Sequence, residues 1–509
     1  MRRRLGLGGE ANGQHQEVLE PPGSATRLGG RIVVASHRGP VELTSEDGHR
    51  VVTRGAGGLV SAFLGVRPFV GDAAWVCAAI SDEDRAAAAE SDGVILDEGS
   101  GWRLRMVELD PVAHRRFYSS IANPLLWFLQ HELWSLSEAP DIGLEEHRAW
   151  DEGYVPVNAR FAEAVVAELA NGGEPHVMVQ DYHLYLVPGM VRARRPDVVM
   201  NFFCHIPWPQ PDAWLVLPEG WRREIFAGLL GADVVGFQTE RSARNFVTGC
   251  ERVLSCAVDH RALTVHREGR DVAARWYPIS VDVDRLDALA RSDAVLARER
   301  ELCEGRREKL IVRVDRTDLS KNILRGFRAY DLLISRRPDV RERVTFLALL
   351  QPSRQDVREY AEYYEEIRRT VADLNLKHGT PDWQPVDLRF VNDLDLAVAA
   401  YKQYDVLVVN AIADGMNLVA KEAVVVNERD GVLLLSENAG ADHELGHFAL
   451  RVHPFDIEQQ AAAMWDALTM DARERRDRRE ACAAVVRRNG LARWVRAQLE
   501  DARRNGAAG

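Results

Sequence analysis

The chain has 509 residues, more than one hydrophobic core usually supports, so two domains with a cleft between them are expected. Its 46% hydrophobic and 28% charged content is that of a globular protein, and a net charge of −12 excludes a broad basic face for nucleic acid while allowing local arginine clusters for small anions. The six dispersed cysteines form no CxxC pair or zinc-like spacing, and no apolar run approaches the roughly 20 residues of a membrane helix, so a cytoplasmic protein without metal or cofactor is expected.

In chain order, residues 1–29 are rich in Gly, Pro and polar residues, lack the apolar stretch of a signal peptide, and read as a flexible arm. Short apolar runs then alternate with segments at helical spacing. The runs are RIVVAS, HVMVQDY, VVMNFFCHIP and DVVGFQT, followed by KLIVRVD, VTFLALL, DLRFVN, DVLVVNAI, GVLLLSE and FALRVHP. Strands this apolar are buried on both faces, and their alternation with segments such as FAEAVVAELANG predicts parallel α/β sheets. A more polar stretch and RWYPISVDVDRL divide the runs into two groups, which places domains at 30–278 and 279–482. From Asp471 the chain is charged and helical. In its last part, 483–509, Leu491, Trp494, Val495 and Leu499 share one face and need a packing partner, which the first domain can supply.

The candidate site residues cluster at the carboxyl ends of these strands, where ligands of open α/β sheets bind. Arg38 follows the first strand in ASHRGPV, and Gly57-Gly58 opens an apolar helix where backbone amides can approach phosphate. VQDYHLYLVPGM and FFCHIPWPQPDAW place Asp181, His183 and His205 at two strand ends, a carboxylate and imidazole set suited to sugar hydroxyls. In VRVDRTDLSKNILRGF, Arg316 and Lys321 can neutralise a diphosphate without a metal; the plain alternative is a loop with a surface Asp318–Lys321 ion pair. Arg354 in LLQPSRQDVREY is a second phosphate fork or a first-turn helix arginine, a position the helix dipole disfavours. In VLVVNAIADGMNLVAKE, a helix starting near Met416 or Asn417 offers its N-terminus to an anion, with Asp414 for sugar hydroxyls and Glu422 for a ribose diol. Read as ordinary structure, Asp414 caps that helix and Glu422 is a solvated acid. The two D-x-D patterns, Asp282/Asp284 and Asp393/Asp395, read as solvated acids rather than metal ligands.

The ordered motifs ASHRGPV, VQDYHL, VRVDRTDLSKNI, PSRQD and DGMNLVAKE make the chain resemble the trehalose-6-phosphate synthase family of retaining glycosyltransferases, above all its actinobacterial members, from about Arg31 to the last helix. The resemblance implies a glycosyltransferase-B fold, with two Rossmann-like domains around the catalytic cleft and a final helix returning to the first. It implies that Arg316, Lys321, Gly58 and the backbone of Leu418 and Val419 hold a donor diphosphate. Asp414 and the amides of Gly415, Met416 and Asn417 would hold the glucose, His205 its 6-hydroxyl and Glu422 the ribose. Arg38 and Arg354 would bind the acceptor phosphate, with Tyr118, Trp127 and Asp181 around the acceptor sugar. The implied reaction joins glucose from UDP-, GDP- or ADP-glucose to glucose 6-phosphate, with no metal required; a homo-oligomer is left open. Two departures stand out. Many bacterial members carry a second tryptophan after the one matching Trp75, where this chain has Ala78-Ala79, and an arginine where it has Ala413. A different phosphorylated acceptor, such as glycerol 3-phosphate or an aminocyclitol phosphate, therefore remains an alternative, as does a catalytically silent sugar-phosphate sensor.

Overall fold

A computed structural model of the chain describes residues 31–46, 49–54, 60, 62–64, 67, 72–91, 93–97, 101–171 and 175–506. The predicted arm at 1–29 and the Gly57-Gly58 turn lie outside them.

Two sheets organise the molecule. The first contains β1 (Ile32–Ala35), β4 (Ala73–Ala78), β5 (Val94–Asp97), β6 (Trp102–Val107), β7 (His176–Gln180), β8 (Val199–Phe203), β9 (Val234–Phe237), β10 (Ala257–Asp259), β11 (Thr264–Arg267) and β12 (Arg270–Trp276). Their spatial order is β10-β11-β12-β9-β8-β7-β1-β4-β6-β5. The strands from β12 to β6 are parallel, while β5 at one edge and β11 and β10 at the other are antiparallel. A separate antiparallel ribbon pairs β2 (Val41–Glu46) with β3 (His49–Arg54).

The second sheet contains β13 (Lys309–Arg316), β14 (Val344–Gln351), β15 (Val386–Phe390), β16 (Val406–Val409), β17 (Val432–Ser436) and β18 (Leu450–Val452). It is wholly parallel, in the order β15-β14-β13-β16-β17-β18. Numbered within this half, that is 3-2-1-4-5-6, the doubly wound order. The order of strand addition reverses between the parallel neighbours β13 and β16, so the connections leaving their carboxyl ends part to opposite faces and leave a crevice. Those loops carry Arg316, Lys321 and Asp414.

Every apolar run named above is a strand. Central strands are buried on both faces, as in IVVA of β1 and VLVV of β16, because helices cover both sides, while the edge strands β15 and β18 are only partly buried. The charged C-terminal stretch forms two helices, Ala472–Arg488 and Leu491–Gly506, broken at Asn489-Gly490. The second helix lies on β8, β9 and β12. There Gln498 Oε1 accepts from Asn201 Nδ2 at 3.0 Å, and Tyr277 OH donates to Asp501 at 2.6 Å. No helix among the described residues is long and apolar enough to cross a membrane.

Candidate functional site

The loop after β13 is held by charge buried beneath it. Arg313, fully buried, donates to the carbonyls of Lys321 and Ile323 at 3.1 and 3.2 Å and pairs with Asp315 at 3.1 Å. This fixes the backbone from which Lys321 projects, and Lys321 Nζ donates to Asp414 Oδ2. Asp414 also accepts from Asn417 Nδ2 at 3.0 Å. Burial raises the affinity of Asp414 for a proton, but the Lys321 ammonium outweighs it and holds the carboxyl below its ordinary range.

Asp414 is not the helix cap that one reading allowed. Asn417 is: its side chain accepts from the Ala420 amide at 3.2 Å, from a left-handed φ of 74°, and the helix runs Leu418–Val426, starting one or two residues later than expected. Asp414 is thereby left at the crevice. Gly415 follows it against the other half of the molecule, where a Cβ would lie 1.8 Å from the His205 carbonyl oxygen. Only a glycine permits that approach. Glu422 sits deeper along the helix beside Tyr401, whose hydroxyl favours its charged form, yet burial pushes its carboxyl up to about 7.

Asp318 does not form a surface pair with Lys321. It is fully buried: Oδ1 accepts from the Ser320 amide and hydroxyl at 3.0 and 2.9 Å and from Trp127 Nε1 at 3.3 Å. Oδ2 accepts from Arg354 Nη1 at 3.3 Å and from Tyr360 OH at 3.2 Å, with Arg316 3.9 Å away. Burial alone would raise its proton affinity, but Arg354 and Arg316 hold it well below the usual carboxylate range. Arg354 precedes the helix Arg358–His378 instead of standing in its first turn, with a φ of 46°. Its guanidinium lies 4.1 Å from the Trp127 ring centre and donates to Tyr182 OH at 3.3 Å, so the second half's arginine rests on the first half's rings. Arg316, the more exposed, also faces Trp127, at 5.6 Å.

On the opposite side, Arg38 follows β1 exposed. Although burial disfavours the Tyr118 phenolate, the guanidiniums of Arg354 and Arg38 draw the phenol below its ordinary range. Tyr118 stacks on His37 and His183 at ring distances of 5.1 and 6.0 Å, and His37 Nε2 lies 2.9 Å from His114 Nε2. Burial keeps His37 and His183 neutral. Ala78, buried, donates its amide to the His37 carbonyl at 3.0 Å, which places the departure from the expected tryptophan beside this imidazole group.

Asp181 occupies a strained conformation, φ 71° and ψ 168°, that L-residues rarely adopt. It accepts from the His205 amide at 3.1 Å, and burial pushes its carboxyl up to about 6. His205 shares Nε2 with Gln180 Oε1 at 2.9 Å, so that nitrogen carries the proton, and Nδ1 accepts from Gln238 Nε2 at 3.4 Å. Burial lowers its imidazole to about 3.

The structure thus brings Arg38, Tyr118, Trp127, Asp181, His205, Arg316, Lys321, Arg354, Asp414 and Gly415 around one crevice, with Met416, Asn417, Leu418 and Val419 at its helix end and Glu422 farther in. The D-x-D acids are not at this crevice. Asp282 and Asp393 are caps that accept from Arg285 and Leu396 amides, at 3.1 and 2.9 Å, instead of solvated acids. Sequence reasoning missed His37, His114, Tyr182, Tyr360 and Tyr401. His37 and Tyr182 stand inside the quoted motifs ASHRGPV and VQDYHL and Tyr360 ends LLQPSRQDVREY, so their neighbours gave a signal, whereas His114 and Tyr401 lie on helical segments with none.

A family model described as glycosyltransferase family 20 matches residues 30–504. Trehalose-6-phosphate synthase of Mycobacterium sp. (strain KMS) is 36% identical over 484 residues, covering 92% of this chain and 94% of that protein. Validamine 7-phosphate valienyltransferase of Streptomyces hygroscopicus subsp. jinggangensis is 31% identical over 487 residues, covering 93% and 94%. Among solved structures, an α,α-trehalose-phosphate synthase (UDP-forming) from Burkholderia xenovorans in complex with glucose-6-phosphate superposes with a TM-score of 0.79 and 27% identity, covering 93% of this chain and all of that one. The two-sheet architecture is the glycosyltransferase-B fold.

Proposed function

Belonging to glycosyltransferase family 20, the chain is a nucleotide-sugar glycosyltransferase, and we propose that it transfers glucose from a nucleoside diphosphate glucose to glucose 6-phosphate, retaining the anomeric configuration and giving α,α-trehalose 6-phosphate. The observation that carries this reading is the seat of Arg354 on the facing half, 4.1 Å from the Trp127 ring centre and bonded to Tyr182 OH, together with the Lys321–Asp414 pair at the neighbouring strand ends. One cationic pocket suits a phosphomonoester acceptor, and a second, at a helix N-terminus, suits a diphosphate.

In this reading Arg316 and Lys321 bind the donor diphosphate, and their charge counts most as the glycosidic bond breaks and negative charge grows on the leaving phosphate. Lys321 is pre-placed by Asp414, which exchanges part of that contact for the hydroxyls of glucose. Gly415, Met416 and Asn417 supply backbone around the sugar, Leu418 and Val419 supply helix-terminal amides, and His205 donates to the 6-hydroxyl once its Nε2–H turns from Gln180 Oε1. Glu422 takes the ribose diol. With no carboxylate assigned as nucleophile, the leaving phosphate oxygen accepts the proton of the attacking acceptor hydroxyl on the same face of the sugar. Tyr118, Trp127 and Asp181 orient that acceptor. The proposed division into 30–278 and 279–482 is supported by the two sheets, whereas the return proposed from 483 starts later, since the helix Ala472–Arg488 stays on the second half and the helix from Leu491 is the one seated on β8 and β9.

A second reading, an aminocyclitol phosphate or glycerol 3-phosphate as acceptor, is favoured by Ala78-Ala79 beside His37 and by the similarity to a valienyltransferase. One assay separates the two. UDP-, GDP- and ADP-glucose are offered in turn with each acceptor phosphate, with EDTA present, and products are read by mass and anomeric NMR. An α,α-linked disaccharide phosphate from glucose 6-phosphate supports the first reading; turnover only with another acceptor overturns it. Nucleotide binding without any transfer would point to a sensor.

A further inference from the structure

The chain passes between its two halves twice. It crosses first in the segment between β12 and the helix Val283–Leu289, and again at Asn489-Gly490, between the helix Ala472–Arg488 on the second half and Leu491–Gly506 on the first. One buried ion pair touches both crossings. Lys421, 1% exposed, donates from Nζ to the Ile279 carbonyl at 2.6 Å and to Glu444 Oε2. Glu444 Oε1 accepts from Asn489 Nδ2 at 2.7 Å. Ile279 in turn donates its amide to Gln238 Oε1 at 2.9 Å, and Gln238 reaches His205 at 3.4 Å. Lys421 belongs to the helix Leu418–Val426, next to Glu422, so a connected path runs from that helix through the first crossing to the crevice histidine.

Stability alone does not account for an ammonium in this place. A buried pair recovers in mutual attraction little more than it loses in desolvation, and a well-packed apolar pair does as well or better. Burial indeed depresses the Lys421 ammonium although Glu444 opposes the shift. What the pair supplies is a buried, directional link among the helix, the Ile279 crossing and the Asn489 crossing, beside the more exposed ties of Arg487 to the Val425 carbonyl and Asp287 and the buried one of Trp494 Nε1 to the Tyr277 carbonyl.

We propose that Lys421, acting with Glu444, is a positioning residue that ties the helix Leu418–Val426 to both interdomain crossings, so that a nucleoside diphosphate at the helix N-terminus sets the placement of the two halves. The proposal rests on the donor location given under the proposed function. Substitution of either partner uncouples nucleotide occupancy from closure while leaving the nucleotide contacts themselves in place.

The test compares the full-length chain with Lys421→Met and Glu444→Gln, and with the milder Asn489→Ala in case either of the first two fails to fold. UDP, GDP and ADP are titrated in turn while the radius of gyration is followed by small-angle scattering, and steady-state rates are measured with both substrates varied. The native chain is expected to contract with a nucleoside diphosphate, and the variants to bind it without contracting. Their kcat falls about 10-fold while the acceptor KM stays within about twofold. Variants that only melt earlier, with native kcat and native contraction, overturn the proposal, as does a native chain that no nucleotide contracts. Turnover without contraction would leave the proposed function standing and remove this inference. Contraction that is lost in Lys421→Met, without turnover by the native chain, would do the reverse.

Discussion

Across the crevice, the loops after β13, β14 and β16 present charges already locked to one another, Lys321 to Asp414 and Arg354 to Asp318. The facing loops after β1, β7 and β8 present rings and imidazoles that burial keeps neutral, His37, His183 and His205, with Arg38 as their exposed cation. One side therefore stores its electrostatics in preformed pairs, which hold its cations in place before a charged ligand arrives. The other offers stacking surfaces and directional hydrogen bonds, which discriminate shape and hydroxyl pattern more than charge. The charged side is suited to a feature that all donors share, and the neutral side to the feature by which acceptors differ.

Breaking the charged side should have the largest effect. Lys321→Met is expected to lower kcat by about 10²–10³-fold, the scale of losing one preorganised donor to developing charge; a loss under tenfold would remove Lys321 from the leaving-group role. Next is Arg354→Ala, which both empties the phosphate pocket and leaves Asp318 buried without its guanidinium. An acceptor KM higher by about 10–100-fold, with a lower urea midpoint, is expected. Equal losses in donor and acceptor KM would show that the two sides are not separable. On the neutral side, His114→Gln is expected to change the acceptor KM by only about 2–10-fold, the range of one uncharged hydrogen bond, while the donor KM holds.

The smallest effect comes from pH. Because the folded-state carboxyl of Glu422 titrates at about 7, above its ordinary 4.5, the folded chain binds a proton between those values that the unfolded chain has released. Stability therefore declines as pH rises through that window, and the penalty is fully present above it. Glu422→Gln should raise Tm by about 1–2 °C at pH 8 and leave it unchanged at pH 4, read by calorimetry. In the native chain the donor KM should rise as pH falls below 7, since the protonated acid accepts poorly from a ribose diol. A flat profile would take Glu422 out of the donor site.

Much of this was legible from local pattern. Runs such as KLIVRVD and DVLVVNAI admit few alternatives to buried parallel strands, and strand ends locate ligands, so Arg316, Lys321 and Asp414 could be named together. What escaped was whatever depends on contacts distant in sequence. Asp318 looked like a surface acid because its partners, Trp127, Arg354 and Tyr360, come from three other segments. The β4 run AAWVCA is apolar but rich in alanine, which favours helix over strand, and the half-exposed β10–β12 ribbon lacks an apolar run that would reveal strands. The break at Asn489-Gly490 hid inside a charged stretch whose helical signal continues on both sides.

The contact between Gly415 and the His205 carbonyl has a consequence for how such a protein diversifies. At this one point the two halves meet main chain against main chain, so no side chain lies there for substitution to act upon. Exchange of the rings and imidazoles around His37 would retune the hydroxyl pattern accepted there without acting on the spacing this backbone contact sets.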